Sequence, residues 1–220
     1  MTAHLDPPEF PARRGRKPDQ KKREAIFDAA HRLFMTRGYA ASVDAIAAEA
    51  GVSKQTVYKA FPAKVELFAA IAGRISDGIV APLDQAHADA LSPAEVLTEL
   101  SRHIFEVVYA DSSIALHRVL IAERAQFPEL AETFYRVGPG ATRVRLAEYL
   151  ARETARGRLR TPEPDVAAEH FLGMLTGHSY MRRLLGLEAA LTDTEKARRI
   201  EAAVRGFLRA YRAQDTAIDR

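Results

Sequence analysis

The chain has 220 residues, of which 47% are hydrophobic and 28% charged, and these proportions are typical of an ordinary globular protein. It contains no cysteine, which excludes a disulfide scaffold, a thiolate zinc site, an iron–sulfur cluster and a cysteine nucleophile. No stretch approaches the ~18 apolar residues of a membrane span. Because Asp6 and Glu9 stand where an export signal needs an apolar core, we expect a cytoplasmic protein.

The formal net charge of +3 is unevenly distributed along the chain. Residues 11–64 contain twelve lysines and arginines against five acidic residues, so this segment carries +7 and the remainder carries −4. A basic segment on a mildly acidic body indicates a polyanionic partner for the basic segment alone. Charge leaves one alternative open, which is a basic segment that is merely solvated.

Residues 1–18 are rich in proline, show no apolar periodicity and predict a flexible basic arm. Within this arm, Arg14 and Arg16 flank a glycine on an extended chain that can enter a narrow A·T-rich minor groove. A nonspecific phosphate-binding tail, or a merely solubilising one, fits the same composition.

Three helices are predicted next, over about 19–37, 42–50 and 53–61. Ser42 and Ser53 are the expected N-caps of the second and third, and Val52 and Val57 have the spacing of a hydrophobic staple. A tight turn at Gly51 joins these two short helices. The pattern indicates a helix-turn-helix within a domain that spans residues 19–64.

The third helix carries side chains suited to a DNA groove. Val57 and Phe61 lie four residues apart and face inward, which leaves five polar residues outside: Lys54, Gln55, Thr56, Tyr58 and Lys59. Amides and ammonium groups bind base edges, and hydroxyls and lysines bind phosphates, so Gln55 is a candidate partner for adenine. A short polar surface helix without a partner is the alternative.

Residues 19–71, and above all IAAEAGVSKQTVYKAFPAKVELF, resemble the DNA-binding domain of the TetR/AcrR family of bacterial transcriptional regulators. The resemblance implies that Ser42 and Lys64 bind phosphates and that the third helix, including Ser53 at its start, faces the groove. Ala60 stands where family members often carry a histidine, which removes one side chain of that pattern. Gln55 replaces a common glycine and is therefore a candidate specificity element.

The remainder, residues 65–215, predicts helices throughout and no strand, so the expected fold is all-α. Helix boundaries follow from capping boxes, prolines and glycines. The predicted helices cover about 63–80, 92–110, 113–126, 129–136, 141–156, 165–186 and 193–213, with a break at 138–140.

The last two helices are the predicted dimer surface, because both carry apolar stripes and the first has closely spaced glycines. An intramolecular core is an equal alternative from periodicity alone, and the family resemblance, which implies dimerisation through the last helices, favours a dimer. The predicted interface comprises Met174, Gly177, Met181, Leu184, Ile200, Val204, Phe207, Leu208 and Tyr211.

Residues 116–140, LHRVLIAERAQFPELAETFYRVGPG, resemble the effector domain of the AefR-like branch of the family. This resemblance implies a ligand cavity enclosed by helices. The candidate polar groups are His103, Tyr109, His117 and His178, although a histidine on an apolar face is more often a core residue. No metal-ligand spacing is present, so neither a metal nor a cofactor is expected.

No catalytic constellation was found: residues 138–143 lack the ending of a phosphate-binding loop, and residues 177–181 lack the second glycine of a nucleophile elbow. The resemblance to the TetR/AcrR family implies a ligand-responsive repressor that binds a palindromic operator as a homodimer and is released by a small molecule. The alternatives are an activator of the same fold, a helical scaffold that has lost DNA binding, and an enzyme with an unrecognised helical site.

Overall fold

The computed structural model describes residues 17–213, which form helices and no β-strand. This confirms the all-α prediction. The helices are α1 (Lys17–Arg37), α2 (Val43–Glu49), α3 (Lys54–Ala60), α4 (Lys64–Val80), α5 (Gln85–Ala88), α6 (Pro93–Val108), α7 (Asp111–Ala122), α8 (Pro128–Val137), α9 (Pro139–Ala155), α10 (Pro164–Leu184) and α11 (Asp193–Tyr211).

Helix starts follow the capping residues that the sequence displays. The hydroxyls of Ser42 and Ser53 accept hydrogen bonds from backbone N–H groups in the first turns of α2 and α3. Ser92 and Thr192 form full capping boxes with Glu95 and Glu195. Each box satisfies two N–H groups that the helix itself leaves without a partner.

The interior divides into two apolar cores. The first holds α1–α3 around Phe34, Val57 and Phe61, and residues of α7 and α8 complete it. The second holds α6 and α9–α11 around Tyr149 and Phe207. Helix α4 contributes to both cores. The predicted domain boundary at residue 64 coincides with the first residue of this shared helix.

Three local features differ from the sequence-based expectations. The predicted break at 138–140 is confined to Gly138, because Pro139 occupies the first turn of α9, where its missing N–H costs nothing. The predicted continuous helix over 165–186 is interrupted at Gly177, whose φ of 42° and ψ of −149° are not helical. The short helix α5 was not predicted.

Candidate DNA-binding surface and ligand cavity

The turn between α2 and α3 positions the third helix on the surface. Gly51 has a φ of 64°, a conformation that side chains disfavour, so glycine is required at this turn. Val57 is 1% exposed and Phe61 is also buried, which turns the opposite face of α3 toward solvent. Lys54, Gln55, Tyr58 and Lys59 are exposed on that face, as the sequence predicted.

The exposed polar residues differ in how strongly they are already engaged. Lys54 lies 3.0 Å from a carboxylate oxygen of Asp44 on α2, and this hydrogen bond raises the pKa of Lys54. Thr56 is half-buried as a residue, and its hydroxyl lies 2.9 Å from that of Ser53. Within the described residues, Gln55 and Lys59 form no side-chain hydrogen bond or ion pair, so their polar groups are available to a partner.

The two predicted phosphate ligands flank α3. The Ser42 hydroxyl is exposed and accepts from Ala45 N, which leaves its own proton free to donate. The Lys64 ammonium donates to the backbone carbonyl of Tyr39 and lies 4.1 Å from the centre of the Tyr39 ring. Burial lowers the pKa of Lys64. A phosphate would therefore have to share this ammonium with Tyr39. Arg14 and Arg16 lie outside the described residues.

Three arginines that the sequence analysis missed brace the helix-turn-helix. Arg23 donates to the carbonyl of Ala60 at 2.9 Å and stacks on the Phe61 ring at 4.3 Å. Arg32 pairs with Glu49 at 3.1 Å and so joins α1 to α2. Arg74 on α4 pairs with a carboxylate of α1 at 3.1 Å, so α4 is tied directly to this domain.

Below the helix-turn-helix, seven helices (α1, α4 and α6–α10) enclose a cavity of about 290 Å³. Its wall is largely apolar, and among the residues described no lysine, arginine, aspartate or glutamate lines it. Phe34 and Met35 of α1 and Phe68 of α4 form the end nearest the DNA-binding domain. The cavity therefore borders the core that supports α3.

A few polar groups interrupt the apolar wall. Ser76 Oγ lies 3.2 Å from Thr142 Oγ1 and 3.3 Å from the carbonyl of Gly138. His117 Nδ1 lies 2.6 Å from the carbonyl oxygen of Ser113, and burial lowers the pKa of His117. Burial raises the pKa of Tyr180 to about 12. At neutral pH the wall thus presents neutral hydrogen-bonding groups rather than charges.

Of the four residues predicted to line a pocket, the structure places only His117 at this cavity. Tyr109 is buried behind the wall, and its hydroxyl donates to the carbonyls of Leu175 (3.1 Å) and Thr176 (2.9 Å) beside the interruption at Gly177. His103 lines an open groove and His178 is exposed. The sequence analysis missed five polar residues of the wall, namely Ser76, Ser113, Thr142, Thr176 and Tyr180.

The predicted dimer residues divide into two sets. Helix α11 packs its apolar stripe against α6 and α10. Three of the predicted residues are therefore buried in the core of the protomer and are not exposed to a second copy: Ile200, Val204 and Phe207. Leu208 and Tyr211 pack at the edge of that core. Met174 and Met181 on α10 are 46% and 53% exposed, Gly177 is exposed beside them, and Leu184 is half-buried.

The described range 17–213 contains neither a candidate metal site nor a candidate membrane-spanning helix. These residues form no cluster of three or more side chains that could hold a metal ion. In the same range, no helix has the length and apolar character needed to cross a bilayer.

The comparisons with known proteins agree with this architecture. Residues 26–71 match the family model of bacterial regulatory proteins of the TetR family. Residues 95–213, more than half of the chain, match that of the C-terminal domain of AefR-like transcriptional repressors. The chain belongs to the TetR family of transcriptional regulators. Its members are regulators rather than enzymes, in agreement with the sequence analysis.

Individual relatives match different shares of the chain. The transcriptional activator FasR of Mycolicibacterium smegmatis is 36% identical over 102 residues, so the match covers 46% of this chain and 47% of that protein. A TetR-family regulator from Mesorhizobium loti has a TM-score of 0.75 and 29% identity, over 88% of this chain and 98% of its own. The flavonoid-responsive regulator FrrA has a TM-score of 0.66 and 34% identity, over 90% and 100%.

Proposed function

We propose that this TetR-family regulator is a repressor that binds a palindromic DNA operator as a homodimer and is released by a small molecule in the cavity. The observation that carries the proposal is the shared wall between cavity and DNA-binding domain. Helix α4 starts directly after α3, borders the cavity along its length and packs in both cores.

The DNA-contacting part of the proposal rests on the exposed face of α3. Gln55 and Lys59 lie on that face without a side-chain hydrogen bond or ion pair among the described residues, so we assign base reading to Gln55 and phosphate binding to Lys59. Ser42 and Lys64 flank α3 as further phosphate ligands. Ser53 and Thr56 bond to each other, and their role is to hold the start of α3 in register.

The homodimer is assigned to the outer face of α10. Met174, Met181 and Leu185 are exposed there. Outside the adjacent helix backbone, no atom of the described residues lies within 4 Å of where a side chain would extend from Gly173 or Gly177. This open apolar strip allows a second helix to approach closely. In a dimer that binds DNA, the two α3 helices must be about 34 Å apart to meet successive major grooves.

Coupling between the two sites follows from what a ligand would touch. A molecule in the cavity contacts Phe34 and Phe68, which belong to the core of the DNA-binding domain. A ligand shifts the protein between operator-binding and released states only by binding one of them more tightly. Small displacements of α4 relative to α1 would change the separation of the two α3 helices.

The relative FrrA, which is 34% identical to this chain, is a flavonoid-responsive regulator, and this likeness supports a small organic effector. The sign of regulation differs among the relatives, because one family model describes repressors and FasR is an activator. We propose repression, and operator-driven reporter expression with and without the protein tests that sign. Reporter expression that rises with the protein would establish an activator instead.

The proposal is tested by selecting bound fragments of genomic DNA with the purified protein and measuring affinity for the enriched sequence against salt. A palindromic motif bound by a dimer is expected. Lys64→Ala should weaken binding to all sequences and reduce the salt slope by about one, and Lys59→Ala should do the same. Lys196→Ala on α11 is the control and should leave the slope unchanged. Recovery of no motif would favour a scaffold that has lost DNA binding.

A further inference from the structure

We propose that the effector carries a hydroxyl group that donates a hydrogen bond to Nε2 of His117, so that the cavity selects neutral phenols or alcohols. This inference rests on the proposed ligand-binding function of the cavity.

The proton on the His117 ring is placed by its first hydrogen bond. Nδ1 lies 2.6 Å from the backbone carbonyl oxygen of Ser113, four residues earlier on α7. A carbonyl oxygen can only accept, so Nδ1 must carry the proton that is shared between them. In the neutral ring, Nε2 then holds a lone pair and is an acceptor. Burial lowers the pKa of His117 and thus favours that neutral ring.

Packing fixes the ring in this orientation. The Phe134 ring meets the His117 ring nearly at right angles with 5.0 Å between their centres, and the Tyr180 ring does so at 5.8 Å. Both aromatic residues also line the cavity. No residue in the described part of the chain bonds to His117 Nε2, so its lone pair is left for a molecule within the cavity.

The rest of the wall determines which donors can approach. Because no cationic side chain in the described range lines the cavity, a carboxylate there would be buried without a counterion, which is strongly unfavourable. An ammonium donor would likewise lack an acidic partner. A hydroxyl group can donate to Nε2 without bringing a charge into the cavity.

Two further polar points can accommodate the other end of such a molecule. The Tyr180 hydroxyl has no hydrogen-bond partner within residues 17–213 and can donate to an ether or carbonyl oxygen. The Ser76–Thr142 hydroxyl pair can donate or accept. An apolar framework with one hydroxyl and a second oxygen therefore suits the cavity.

The experiment compares three two-ring probes on the full-length protein by calorimetry at neutral pH: 4-phenylphenol, its methyl ether 4-methoxybiphenyl, and biphenyl-4-carboxylate. The phenol should bind about tenfold more tightly than the ether, which cannot donate, and the carboxylate should bind most weakly. In His117→Phe the phenol and the ether should bind equally. His178→Phe is the matched control, because this exposed histidine does not line the cavity, and it should retain the preference for the phenol.

The outcomes distinguish the proposed hydroxyl contact with His117 from the proposed ligand-binding function of the cavity. Equal binding of phenol and ether to the unmodified protein, or a preference that survives His117→Phe, would overturn the hydroxyl assignment and leave the cavity as a ligand site. Failure of all three probes to bind would overturn the proposed cavity function as well. Imidazole ¹⁵N NMR of the unmodified protein is an independent test that needs no variant. We expect a pyridine-type Nε2 signal that shifts with 4-phenylphenol, and a protonated Nε2 would contradict the proposal.

Discussion

The DNA-binding surface and the cavity use polar groups in opposite ways. On α3, Gln55 and Lys59 are exposed on a continuous helical face, where water solvates them until a partner arrives. In the cavity, His117 and Tyr180 are enclosed in an apolar wall without a charged residue among those described. An exposed charge costs little and provides long-range attraction, whereas a buried polar group demands a partner of matching chemistry. The first arrangement suits a large polyanion and the second a small neutral molecule.

The largest expected effect is on the free energy of unfolding, and it comes from removing a buried charge on α9. Glu153 on α9 is fully buried and its carboxylate oxygens lie 2.8 and 2.5 Å from the guanidinium of Arg158. Glu153→Gln removes the charge that this guanidinium neutralises, and we expect a loss of about 3 kcal/mol in the free energy of unfolding. Denaturant titration measures it. Glu148→Gln, on the exposed face of α9, is the control and should change stability by less than about 1 kcal/mol.

If Glu153→Gln and Glu148→Gln proved equally stable, the distinction between buried and exposed polar groups would fail in this half of the molecule. Operator affinity below the unfolding temperature should be nearly unchanged in both variants, because Glu153 lies in neither the cavity wall nor the DNA-binding domain.

The next effect concerns the interruption of α10 beside the cavity. Gly177 has a φ of 42°, which strains any residue with a side chain, although beyond the adjacent helix backbone no atom of residues 17–213 lies within 4 Å of the added carbon. Gly177→Ala should therefore cost about 1–3 kcal/mol through backbone strain alone. Gly173→Ala, one turn earlier with equally open surroundings, should stabilise the helix slightly. Thermal unfolding of both variants checks the difference, and a stabilised Gly177→Ala would mean that the interruption is not required.

On the DNA side, Gln55→Ala should change which base is preferred at one position of each half-site. Loss of a bidentate contact to adenine costs about 1–3 kcal/mol of discrimination at that position. Binding to a panel of single-base operator variants measures it. Protein stability should be unaffected, since Gln55 forms no side-chain hydrogen bond within the described residues. An unchanged preference across the panel would remove Gln55 from the base-reading residues.

The smallest expected effect is a pH dependence confined to the cavity. Burial lowers the pKa of His117 below the ordinary value of 6.5, and Tyr180, the titratable side chain that faces it, has a pKa raised to about 12. Below pH 6.5 the unfolded chain therefore takes up a proton at this residue before the folded protein does, and stability falls as pH falls. Binding of 4-phenylphenol should weaken only at lower pH, where the folded protein itself takes up the proton, because a protonated Nε2 cannot accept.

This pH dependence is checked by calorimetry and by unfolding measurements between neutral and mildly acidic pH. His117→Phe should lose the portion of it that His117 contributes, for both stability and phenol binding. A His117→Phe protein with the same acid sensitivity as the unmodified one would assign the effect to other groups.

The two regions also differ in how far sequence alone could predict them. Ser42, Ser53 and the outward face of α3 were identifiable because caps and helical spacing are local properties. The cavity wall combines side chains from seven helices, so Ser76 and Thr142, 66 residues apart, carry no local sign of their contact. His117 was found only as one of four polar candidates within apolar stretches.

Part of the predicted dimer surface is buried within the protomer for a related reason. The stripe of α11 has the correct helical period, but period cannot tell whether a face packs within the protomer or against a second copy. Packing against α6 and α10 buries Phe207 completely, whereas Met181 on α10 remains exposed. Likewise, the positive φ of Gly177 and the Tyr109 hydrogen bonds beside it depend on tertiary contacts that no spacing rule reports.

The most direct test of the account is the affinity of the full-length protein for its selected operator with and without saturating 4-phenylphenol. If the cavity and α3 are coupled through α4, bound phenol should weaken operator binding by about tenfold or more, and operator should weaken phenol binding by the same factor. Identical operator affinity with the phenol bound would contradict the coupling, and would leave a DNA-binding domain and a ligand cavity that share a helix but not a function.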